Sequence, residues 1–84
     1  MTRPYKDIHI LTMAELKRAE AKHPDWPDNR FEGLAILTEE VGELNQAVID
    51  EKHGIGDMEK IEAEAIQVIA MGYRFLKNVR RTIT

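Results

Sequence analysis

The sequence predicts an all-α chain of three helices in one domain spanning residues 1–84. Three observations carry that prediction. Apolar residues recur every three or four positions in three separate stretches. A proline-rich segment and a glycine-rich segment divide those stretches. No alternation of apolar and polar residues competes for a strand, and there is no internal repeat or low-complexity tract.

The first helix is predicted over Tyr5 to Lys22. Ile8, Leu11 and Ala14 fall at helical spacing, Leu16 and Ala19 lie on a neighbouring face, and no Gly or Pro intervenes. It ends before His23-Pro24-Asp25-Trp26-Pro27-Asp28-Asn29, because proline disfavours helical geometry in the residue before it. His23 reads as a C-terminal cap, and Asp28 or Asn29 can cap the next helix.

The second helix, Phe31 to Lys52, carries an apolar stripe of Leu34, Leu37, Val41, Leu44 and Val48. It stops at the turn signal His53-Gly54-Ile55-Gly56. Asp57 then caps a third helix, predicted over 57–80, with Ile61, Ala65, Val68, Gly72, Phe75 and Val79 in its stripe. A short turn between long helices makes the second and third an antiparallel hairpin. Gly42 and Gly72 each cost about 1 kcal/mol against Ala inside a helix, which suggests close helix approach at both positions, a subunit contact being one place for it.

Composition sets bounds. Eighty-four residues fall short of the ~100–150 typical of a domain, and a core that small commonly gains stability by oligomerising. A homo-dimer or homo-tetramer is expected. Ile66, Ile69, Tyr73, Phe75 and Leu76 widen the apolar face of the third helix beyond one seam, so two hairpins are expected to build a four-helix core. The absence of cysteine excludes disulfides and thiolate zinc sites. No apolar run approaches the ~20 residues of a membrane span and no signal-peptide pattern opens the chain, so a cytoplasmic protein without membrane partners is expected. Net charge is −3, from 15 acidic and 12 basic residues, which argues against a nucleic-acid partner.

The acidic residues are not scattered. Glu39-Glu40-Val41-Gly42-Glu43 places three carboxylates within about one and a half helical turns, and a second acidic stretch runs from Glu59 to Glu64. Like charges at i,i+3 and i,i+4 destabilise a helix by a few tenths of a kcal/mol per pair, so such a cluster suggests a cation. At ~100° per residue, Glu40 and Glu43 lie about −60° and −120° from Leu37 at the stripe centre. Glu64 and Gln67 lie at those same two offsets, about −60° and −120°, from Ile61 on the third helix. Antiparallel helices that face each other bring same-handed flanks to the same side, so the four side chains are expected to converge. Glu39 points further out, within reach of a metal through water. Oxygen donors without Cys or His suit a hard ion, Mg²⁺ or Mn²⁺.

Other residues have two readings. Trp26 is a plug over the bundle end or a base-stacking platform. Arg74, Lys77, Arg80 and Arg81 complement the dipole of the last helix, or some of them hold phosphates; Lys77, Arg80 and Arg81 are the candidates for a triphosphate.

Leu37-Thr38-Glu39-Glu40-Val41-Gly42-Glu43-Leu44 resembles the EExxE signature of the MazG-like, all-α nucleoside triphosphate pyrophosphohydrolases. Glu64-Ala65-Ile66-Gln67-Val68-Ile69 is similar to that family's second motif, ExxD, with Gln67 in place of the aspartate. The similarity covers roughly Leu11 to Leu76. It implies Mg²⁺-dependent cleavage of a nucleoside triphosphate between the α and β phosphates. It further implies Glu40, Glu43 and Glu64 as metal ligands, with Gln67 at the fourth position. Glu39 and Glu40 are the candidate catalytic residues, Glu39 as outer ligand or as acceptor of the proton from the attacking water. Because Gln67 brings no negative charge, the alternative is a weakened or non-catalytic relative, a nucleotide-binding or helical interaction module.

Overall fold

A computed structural model describes residues 1–83 of the chain. Its helices are α1 (Tyr5–Lys22), α2 (Arg30–Lys52) and α3 (Met58–Asn78), with a single 3-10 turn over Val79–Arg81 where the third helix was expected to continue. The described residues contain no strand, and none of their helices is long and apolar enough to cross a membrane.

Local chemistry explains where each helix begins and ends. Asn29, rather than Asp28, caps α2: its Oδ1 accepts from the backbone N–H of Phe31 at 2.8 Å and of Glu32 at 3.3 Å. Asp57 caps α3 by accepting from the Lys60 N–H at 2.9 Å. At the end of α2, Gly54 takes φ of 75°, which glycine adopts without steric cost. Two reversed bonds close that turn, Gly54 N–H to Glu51 O at 3.0 Å and Ile55 N–H to Asp50 O at 2.9 Å. The His23 N–H donates to Ala19 O at 2.8 Å and closes α1.

Helix α3 is central. It packs against α2, which runs back antiparallel to it, and against α1, while α1 and α2 hardly touch. Pairings just before and along α1 give its direction. Arg3 meets Glu62, Glu15 meets Gln67 and Glu20 meets Lys77, so α1 runs parallel to α3. The core between them is small. Ala19, Trp26, Ala70 and Met71 are its buried residues, with Leu16, Ile36, Leu37 and Phe75 packed against them.

The inward faces differ in detail from the expected stripes. On α2 the seam is formed by Gly33, Ile36, Leu37, Glu40, Leu44 and Ala47, whereas Leu34, Val41 and Val48 are exposed. The helix is thus rotated toward its acidic flank by roughly half of one residue's ~100° step. On α1, Thr12, Leu16 and Ala19 face inward while Leu11 and Ala14 are exposed. Gly42 and Gly72 do not mark close approaches within the chain, because a Cβ at either would meet nothing within 4 Å. Gly33 does: a Cβ there would lie 3.1 Å from Trp26 Nε1.

Candidate metal centre

Near the end of the bundle that holds the α1–α2 connector, all three helices border a cleft of about 420 Å³. Glu40 and Glu43 enter it from α2, and Glu64 and Gln67 from α3. The rotation of α2 turns Glu40 inward, and the short turn at Gly54 sets the register that faces it to Glu64. One carboxylate oxygen from each of Glu40, Glu43 and Glu64 lies within 4.8 Å of the other two. The convergence expected from helix geometry is therefore present for these three.

Their environments differ. Glu43 is exposed, Glu40 half-buried and Glu64 only 7% exposed. Glu64 Oε1 pairs with Lys60 Nζ at 2.9 Å, one turn earlier on α3, whereas the buried Oε2 has no hydrogen-bond partner. A buried carboxylate oxygen without a partner is costly, and Glu64 has two further carboxylates beside it. Unit charges 4 Å apart repel by about 1 kcal/mol in water and ~4 kcal/mol at the effective dielectric of a protein surface. Burial pushes the Glu40 carboxyl above its ordinary 4.5, and the charges of Glu43, Glu64 and Glu39 push it the same way. A divalent cation bound among three carboxylate oxygens would relieve both the repulsion and the unmet acceptor. The donor set fits a hard ion, Mg²⁺ or Mn²⁺.

Gln67 borders the cleft, and its Nε2 donates to Glu15 Oε2 on α1 at 2.6 Å. Glu15 also accepts two bonds from Arg18, at 2.9 and 2.6 Å, and those hold its carboxyl below the ordinary value. Glu39 is exposed and stands outside the three-carboxylate cluster, close enough for its charge to bear on Glu40.

The cations of the cleft are Arg18, Lys22 and Arg74. The structure does not bring Lys77, Arg80 or Arg81 to it. Lys77 pairs with Glu20 at 3.0 Å, and Arg81 with Asp28 at 2.6 Å and the Trp26 carbonyl at 2.9 Å. Arg80 is exposed and does not border the cleft. Arg74 is 5% exposed and straps the connector onto α3, its Nη2 donating to His23 O at 2.5 Å and Asp25 O at 3.4 Å. Its guanidinium carbon stands 5.1 Å from the Trp26 ring centroid. Trp26 itself is 8% exposed, held between Arg74 and Gly33. It lines the cleft, with one ring face taken by Arg74.

The sequence did not single out Arg18, Lys22 or Glu15. The available signal was position: the last turns of α1 lead into the connector, at the height where a parallel α1 meets the middle of α3. No family model, curated protein or solved structure matches the chain.

Proposed function

We propose that this protein is a Mg²⁺-dependent nucleoside triphosphate pyrophosphohydrolase of the MazG-like type, releasing nucleoside monophosphate and pyrophosphate. One observation carries the reading: Glu40, Glu43 and Glu64, from two antiparallel helices, offer oxygens within 4.8 Å of one another, and Glu64 carries a buried oxygen that lacks a partner. Mg²⁺ held there would neutralise phosphate charge and lower the pKa of a bound water. Glu39, exposed at the margin of the cluster, would take the proton from the attacking water. Arg18, Lys22 and Arg74, on the same cleft, would face the remaining phosphate charge.

The reading includes assembly. Ile69, Tyr73 and Leu76 of α3 are exposed, as are Leu34, Val41 and Val48 of α2. Covering these apolar residues would join two α2–α3 hairpins into the four-helix core of a homo-dimer, or of a homo-tetramer built from such dimers. A cytoplasmic role in removing surplus or non-standard nucleotides follows from the resemblance alone.

Gln67 favours a second reading, a nucleotide-binding relative with weakened chemistry, because its neutral amide stands where the resemblance puts an aspartate and brings no negative charge to the cation. Incubation with a panel of NTPs and dNTPs and Mg²⁺ or Mn²⁺, with pyrophosphate as readout, separates the two. Release that disappears in Glu40→Gln and Glu43→Gln supports the enzyme. Release unaffected by those changes contradicts it. A silent wild type beside an active Gln67→Asp supports the second reading.

A further inference from the structure

We propose that Glu15, on α1, is the positioning residue that turns the Gln67 amide so that its carbonyl oxygen Oε1 serves the cation held by Glu40, Glu43 and Glu64. The inference rests on the cation-site reading above and adds a residue from a third helix to it.

The two ends of an amide are unlike. Gln67 can donate from Nε2 and accept at Oε1, whereas an ionised carboxylate can only accept. Gln67 Nε2 lies 2.6 Å from Glu15 Oε2. With the amide reversed, two acceptor oxygens would face each other at that distance with no proton between them. Glu15 therefore selects one orientation, and Arg18 fixes Glu15 by binding both of its oxygens, Nε to Oε1 at 2.9 Å and Nη2 to Oε2 at 2.6 Å.

The selection matters because the cleft by itself favours the other orientation. Gln67 borders the same space as Glu40, Glu43 and Glu64 and follows Glu64 by one turn of α3. Before a cation binds, those carboxylates attract the NH₂ end of any amide beside them. An Nε2 turned toward them is no ligand for a metal. Glu15 competes for that donor from the α1 side, leaving the carbonyl as the end that is free. The amide is thus preorganised as a neutral oxygen ligand, in the way that outer partners orient the ligands of metal sites generally.

Calorimetric titration of Mn²⁺ into the full chain tests the proposal, using wild type, Glu15→Gln, Gln67→Ala and the double variant. Glu15→Gln keeps the shape of the side chain but can present either a donor or an acceptor, so it no longer selects an orientation. The expected result is binding weakened by about tenfold or more in Glu15→Gln, weakened also in Gln67→Ala, and no weaker in the double variant than in Gln67→Ala. Wild-type affinity in Glu15→Gln overturns the proposal, and so does an equal further loss when Glu15→Gln is added to Gln67→Ala. In either case the cation site itself stands. A wild type that binds no Mn²⁺, or binds it unchanged in Glu40→Gln, removes the site and this inference with it. A second readout needs no metal. The Gln67 side-chain NH₂ resonances should be distinct and protected from exchange in wild type and lose that protection in Glu15→Gln; unchanged resonances overturn the proposal.

Discussion

Lys60 Nζ lies 2.9 Å from Glu64 Oε1, so the cation nearest the acidic cluster is one that the chain carries itself. The lysine side chain is 64% exposed and the glutamate 9%. An exposed ammonium gives up such a pair at little cost, and a divalent ion bound at the neighbouring carboxylate oxygens would repel it. Lys60→Met is expected to tighten Mg²⁺ binding several-fold by calorimetry. Weaker binding would mean that Lys60 supports the site rather than competing for it.

Glu40 ties stability to pH in the metal-free protein. Its carboxyl is raised above 4.5 by burial and by its acidic neighbours, so the folded state holds that proton more tightly than the unfolded state. The resulting stability is fully present below the unfolded value and is lost as pH rises through the raised one. Glu40→Gln should therefore raise the Tm of metal-free protein near neutral pH, and should abolish the further rise expected for wild type on adding Mg²⁺. Thermal melts at several pH values, with and without Mg²⁺, check both halves.

Much of this arrangement was legible in the sequence because it depends on period and punctuation. Helical spacing gave three helices, Asp57 and the Gly54 turn gave the hairpin, and ~100° per residue gave the meeting of Glu40, Glu43 and Glu64. The features that escaped depended on the placement of α1, whose apolar positions fit two adjacent faces equally well. Hence Leu11 and Ala14 are exposed while Thr12 is buried, and the bond from Gln67 to Glu15 was unforeseen. Charge counting at the C-terminus could not tell Arg74, buried under the connector, from Lys77 and Arg81, which pair elsewhere. The stripe of α2 misled for a related reason. Leu34, Val41 and Val48 look like core but remain exposed on this chain.

Gly33 is where the backbone must stay bare. An added Cβ would stand 3.1 Å from Trp26 Nε1 and 3.4 Å from Cζ2 of the same ring. Gly33→Ala gains about 1 kcal/mol of helix propensity, yet overpacking costs ~1–3 kcal/mol. A net loss of stability is expected, with a shift in the fluorescence of the single tryptophan, and a clear rise in Tm would contradict it.

Arg74 holds the connector rather than a helix end. Arg74→Met removes the donor that ties the His23 and Asp25 carbonyls to α3 and the cation that covers the Trp26 ring, so the connector should loosen. Hydrogen exchange should accelerate across residues 23–29 and at Trp26, while the Gly54 turn keeps its protection. Uniform acceleration along the whole chain would show a global rather than a local role.

If carboxylates from α2 and α3 hold one hard cation, anomalous scattering from crystals grown with Mn²⁺ should locate it. The expected peak is bounded by Glu40, Glu43 and Glu64, with Lys60 swung clear of Glu64. Crystals in which Mn²⁺ is ordered elsewhere, with Lys60 still paired to Glu64, would contradict it.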